Sequence, residues 1–105
     1  MIKNGRPYSN ENGYVDEALI SDREDKVISA VGEWIRENVR AGKRVFHEYT
    51  SYGIKHMLEH DTGIYLTNNE FKDAMLLAGY QPVNPNDLNW KYRIVLTCGT
   101  NKPCY

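Results

Sequence analysis

Thr67-Asn68-Asn69-Glu70-Phe71-Lys72-Asp73-Ala74-Met75-Leu76-Leu77-Ala78-Gly79 is a helix with both of its ends marked. Thr67 and Glu70 have the spacing of a capping box, in which each side chain satisfies a backbone donor at the helix start. Phe71, Ala74, Met75 and Ala78 fall on one face, and Gly79 supplies the stop. The segment predicts a helix over 68–78, with Asn69, Lys72, Asp73 and Leu76 on the outward side.

Working upstream, Thr50 or Ser51 offers a cap, and Ile54, Met57 and Leu58 recur at helical spacing as far as Asp61-Thr62-Gly63. A helix of about ten residues is expected there. Arg44-Val45-Phe46 before it is short and β-prone, suited to an edge strand that pairs with something later. Further back, Ser21-Asp22-Arg23-Glu24 has the form of a second capping box. Val27, Ile28, Val31, Trp34 and Ile35 then share a stripe opposite Glu33, Arg36, Glu37 and Arg40, which predicts a helix over roughly 22–40 stopped by Gly42.

Working downstream, Tyr80 to Val83 reads as extended and Asn84-Pro85-Asn86-Asp87 as a turn. Trp90, Tyr92, Ile94 and Leu96 alternate with Lys91, Arg93 and Val95, completing a β-hairpin with one long strand. Residues 1–20 have turn-forming composition and read as an extended N-terminal arm, 21–96 as the folded domain, and 97–105 as a C-terminal tail. The expected fold is α+β and winged helix-turn-helix-like, three helices plus a C-terminal β-hairpin, with the second and third helices as the turn motif.

Tyr49-Thr50-Ser51-Tyr52-Gly53-Ile54-Lys55-His56, with Gly63 to Phe71 and Ala74 to Tyr80, resembles small winged-helix-like proteins of bacterial phages and integrated mobile elements. The likeness covers about residues 45–95 and implies a mobile-element origin, in a class that includes transcriptional regulators and anti-CRISPR inhibitors. It assigns no catalytic or ligand residue.

Composition narrows the function. The chain has 105 residues, enough for one core, and a net charge of −1, so no global basic excess favours nucleic acid. Any attraction to phosphate must be local. Asn69 and Lys72 on the third helix, Lys91 and Arg93 on the wing, and Lys43, Arg44 and Lys55 nearby are the candidates for nucleic-acid contact. Asp73 and Leu76 make the third helix a poor reader of a groove, because a carboxylate repels phosphates and a leucine suits only a thymine methyl.

That weakness favours a host protein or nucleoprotein complex as the alternative partner. Leu76 beside Leu77 is the expected anchor, and the 8 tyrosines supply contact area at small entropic cost. Tyr14, Tyr49 and Tyr52, in or next to loops, are the interface candidates, whereas Tyr65 and Tyr92 are expected in the core. Asp16, Glu17, Asp22, Glu24 and Asp25 suit the start of a helix, where acids meet the positive end of its dipole.

No catalytic residue, metal site or cofactor is expected. His56-Met57-Leu58-Glu59-His60 has the His-x-x-Glu-His form of an inverted zinc-peptidase motif, with His47 as a conceivable further ligand. A chain of this size lacks the cleft such a peptidase needs. Cys98 and Cys104, both near the end, make no disulfide framework. No apolar run is long enough for a membrane span and the start lacks a signal-peptide core, so the expected location is the cytoplasm of a bacterial host cell.

Overall fold

The computed structural model describes residues 2–3, 6–7, 18–45 and 49–96. In chain order, β1 (Ile2–Lys3) pairs antiparallel with β2 (Arg6–Pro7), and a 3-10 turn at Ile20–Asp22 leads to α1 (Asp25–Asn38). β3 (Val39–Ala41) follows at once, then α2 (Ser51–Thr62), α3 (Asn68–Leu77) and β4 (Ile94–Leu96). Together they form an α+β globule of three helices in which β3 and β4 make a two-stranded antiparallel sheet.

Both marked ends of α3 form as read. Thr67 accepts from the Glu70 N–H at 3.1 Å while Glu70 accepts from the Thr67 N–H at 2.9 Å. Past its last turn Gly79 adopts φ +96, a left-handed conformation that costs glycine nothing. Gly63 ends α2 in the same way at φ +75.

The first helix begins and ends differently from expectation. Ser21 lies in the 3-10 turn, and the N-cap is Glu24, whose side chain makes no capping bond. The Leu19 and Ile20 carbonyls accept from the Asp22 and Arg23 N–H groups, closing a tight turn before the helix instead of a box. The helix stops at Asn38 because Val39, Arg40 and Ala41 face Leu96, Val95 and Ile94 across the sheet. A β-branched residue with a waiting strand favours the ladder over another helical turn. Arg44-Val45 is therefore not a strand, and β3 lies upstream of it. Gly42 serves as a close approach rather than a helix stop: a Cβ there would meet the Ile94 carbonyl carbon at 3.1 Å.

The C-terminal hairpin is also revised. β4 pairs with β3, and residues 80–83 join the returning arm through the Val83 N–H and the Lys91 carbonyl at 2.9 Å. Pro82 has no N–H to give a ladder, and the Tyr80 N–H is used on the Met75 carbonyl at the end of α3. The alternation is as read, with Trp90, Tyr92, Ile94 and Leu96 buried and Arg93 and Val95 outward.

Val31, Trp34 and Ile35 from α1, Ile54 and Leu58 from α2, and Phe71 and Met75 from α3 meet Trp90, Tyr92 and Leu96 in one core. Each such side chain contributes about 1.5–3 kcal/mol on burial. The Trp34 indole N–H donates to Asp61 at 2.8 Å, tying α1 to the end of α2, and the Tyr80 hydroxyl donates to the Val39 carbonyl at 3.1 Å. No helix among the described residues is long and apolar enough to cross a membrane.

Candidate functional site

The outward face expected for α3 is buried. Asn69, Lys72 and Asp73 are each 0% exposed, and Leu76 is half-buried against the core. Asn69 donates through its amide to the carbonyls of Pro7 at 2.9 Å and Ala18 at 2.6 Å, and Asp73 accepts from the Ile20 N–H at 3.0 Å. The Lys72 ammonium lies over the Trp90 ring, 5.0 Å from its centroid. Backbone groups of Pro7, Ala18 and Ile20 thus take their hydrogen-bond partners from this polar face. Asn69 and Lys72 therefore present nothing to a groove, and the leucine that reaches solvent is Leu77, at 60% exposure.

A buried polar cluster then sets α2 against the returning arm. The Ser51 N–H donates to the Trp90 carbonyl at 2.7 Å, and the Ser51 hydroxyl accepts from the Trp90 N–H at 3.0 Å while donating to Asn68 at 2.8 Å. Asn68 in turn donates to Asn89 at 2.8 Å and to the Leu88 carbonyl at 3.2 Å. Ser51 thus replaces a helix-capping role with a link between three chain segments. Lys91 follows Trp90 directly, which places it beside the first turn of α2.

Of the cations expected on the wing, Arg93 is exposed just before β4, and Lys43 and Arg44 are exposed just after β3. The Gly42 N–H donates to the Arg93 carbonyl at 2.9 Å, so exposed Lys43 and Arg44 leave the sheet beside exposed Arg93. Lys91 is half-buried two residues before. Arg40 is exposed on the same sheet, but its guanidinium turns back to the Arg36 and Val39 carbonyls at the end of α1, where a cation suits the helix dipole. Lys55 does not join this strip, being 2% exposed.

Lys55 organises a second patch instead. Its ammonium lies 5.0 Å from the Tyr52 ring centroid and 4.9 Å from that of Tyr65. Tyr52 is 40% and Tyr65 53% exposed, so Tyr65 is a surface residue rather than the core residue its sequence context suggested. His56 meets Tyr52 edge-on, with ring centroids 4.5 Å apart at 78°. Tyr49 is half-buried against the core, and Tyr14 lies outside the described residues. The Tyr52, Lys55 and His56 part was legible as neighbours three and four apart on one helix. Tyr65 gave no local signal, since its place depends on how the chain leaves α2.

His56 and His60 of the His-x-x-Glu-His stretch border one open pocket with Tyr49, Gly53 and Met57. His56 faces Glu59 at 3.9 Å and His60 faces Asp61 at 3.5 Å. Among the described residues no group of three or more His, Cys, Asp or Glu side chains is placed to hold a metal ion. His47, Cys98 and Cys104 lie outside those residues. Asp61-Thr62-Gly63 is structural: Asp61 holds Trp34, Thr62 donates to the Leu58 carbonyl at 2.7 Å and Gly63 caps the helix.

A third surface feature lies between α1 and α3, a groove of about 300 Å³ whose lining includes Ile20, Ile28, Val31, Ala74, Leu77 and Arg36. The architecture is a small α+β globule of three helices and a two-stranded antiparallel sheet. Compared with protein-family models, curated proteins and solved structures, the chain matches none.

Proposed function

We propose that this chain is a non-enzymatic binding protein of phage or mobile-element type, a winged-helix-like module that contacts nucleic acid or a host nucleoprotein complex through the outer face of its β3–β4 sheet. The order α1, β3, α2, α3, β4, with the inter-helix strand paired to the last strand, supports the winged-helix reading. The observation that carries the functional reading is the Gly42 to Arg93 hydrogen bond, which brings the chain leading into exposed Lys43 and Arg44 past exposed Arg93 on a chain of net charge −1. Local clustering does here what composition does not, because phosphate attraction depends on how many cations reach the backbone together.

In this reading α3 is the central strut of the fold. Fluorescence anisotropy of labelled duplex and single-stranded oligonucleotides at low salt provides the test. Binding that weakens steeply with salt, and is lost when Lys43, Arg44 and Arg93 are changed together to Glu, is the expected result. No binding to any oligonucleotide at low salt overturns it.

A second reading rests on Leu77. Its exposure at the end of the α1–α3 groove suits an anchor for a host protein, as in an inhibitor of a bacterial defence complex of the anti-CRISPR kind. Under that reading Leu77→Asp abolishes a partner interaction that survives nuclease, while leaving oligonucleotide binding unchanged.

A further inference from the structure

We propose that the nucleic acid bound by this protein is single-stranded, with bases stacking on Tyr52 and Tyr65 and phosphates following the strip of Lys91, Arg93, Lys43 and Arg44. The inference rests on the basic-strip reading above and adds to it the strand form recognised. Single-strand binders combine a cationic track with aromatic platforms, because every base has a face to stack whatever its sequence.

Both ingredients adjoin each other here. The Ser51 N–H to Trp90 carbonyl bond of 2.7 Å sets Tyr52, the next residue of α2, near Lys91, the next residue of the arm. Arg93 lies two residues further, and the Gly42 N–H bonded to its carbonyl continues the track into Lys43 and Arg44. Two backbone bonds thus link the start of α2, which carries Tyr52, to the arm that carries Lys91 and Arg93 and on to the chain before Lys43. Glu59 is the acidic side chain facing His56 on this helix, two turns away from Tyr52.

The tyrosines are held rather than loose. One buried ammonium contacts both rings, at 5.0 and 4.9 Å, so the distance between the two centroids is capped at the sum of those lengths. The arrangement restrains both rings before any ligand arrives, which lowers the ordering cost of stacking. His56, set edge-on to Tyr52, adds a third exposed ring. Duplex reading, by contrast, needs a helix offered to the major groove. The polar side chains of α3 that would do this are buried, and α2 presents Tyr52 and His56 outward.

The test measures anisotropy of labelled oligothymidylate, oligouridylate and a blunt duplex with the full chain and with Tyr52→Ala, Tyr65→Ala and the matching Phe variants. Single strands should bind more tightly than duplex, each Ala change should weaken single-strand binding by about fivefold to a hundredfold, and each Phe change should leave it within about twofold. Duplex binding should be unaffected by any of the four. Preference for oligothymidylate or for oligouridylate identifies DNA or RNA as the ligand, and equal binding shows that the sugar is not read. Thermal melts accompany each variant, and the two sites are judged separately so that a folding defect at one leaves the other decisive.

Duplex bound as tightly as single strand, or single-strand binding indifferent to both Ala changes, overturns the stacking proposal while the basic strip stands. Absence of binding to all three oligonucleotides overturns both.

Discussion

Tyr92 ends in a hydroxyl that finds no hydrogen-bond partner among the described residues, and burial pushes its pKa well above the ordinary 10.0. The unfolded chain therefore releases this proton first as pH rises, and stability falls with pH once the unfolded tyrosine ionises. In urea melts between about pH 9 and 11, Tyr92→Phe should lose less stability than the parent, the difference approaching about 1.4 kcal/mol per pH unit. At neutral pH the same change should be near neutral, since it removes a buried polar group that has no partner to lose. Asp73 is the opposite case, a buried acceptor that the Ile20 N–H needs at 3.0 Å. Asp73→Ala should cost about 2–3 kcal/mol in denaturant melts, whereas a solvated aspartate would cost under about 0.5 kcal/mol. The sequence marked Asp73 as outward because it lies opposite Phe71 and Met75. That geometry is right, but it does not reveal that Pro7, Ala18 and Ile20 meet the second face.

Among the elements, those with complete local signals are the ones the sequence describes well. Thr67 and Glu70 cap α3 through bonds internal to the helix, so nothing distant is needed to form them. Thr67→Ala should lower stability by about 1 kcal/mol, seen as a reduced midpoint in thermal or urea unfolding. Ser21 and Glu24 carry the same pattern without its bonds, because Ser21 lies inside the 3-10 turn and the helix starts only after Glu24. Ser51 shows a third outcome, a cap candidate drawn into a buried cluster with Asn68 and Trp90. Ser51→Ala should cost about 2–3 kcal/mol, more than a helix cap alone, because it strands a buried Trp90 N–H and alters the partners of Asn68. The same substitution loosens Lys91 from α2 and should weaken single-strand binding more than duplex binding. The end of α1 was not legible, since Val39 chooses strand over helix only when Leu96 is there to face it.

Across the whole molecule, the candidate site joins segments distant in sequence, and its cations act as a set. Reversing Arg93 alone should reduce the slope of log affinity against log salt by roughly 0.7 for a single strand, or 0.9 for a duplex, if it contacts one phosphate. Reversing Lys43 and Arg44 as well should reduce it by proportionate further steps. Composition had already indicated that phosphate binding would be local, and the alternation of residues 90–96 correctly set Arg93 outward. By itself the sequence determined the three helices, the capped ends of α3, the left-handed glycines after α2 and α3, and which residues of the last strand face the core. Each depends on neighbours within a few positions along the chain, where local sterics and periodicity suffice. Only the tertiary structure decided that β4 pairs with β3, that Asn69, Lys72 and Asp73 are interior, and that Tyr65 comes to the surface beside Tyr52 over a shared lysine. These depend on which segment covers which face, and that choice is made by burial and by backbone groups seeking partners far away in sequence.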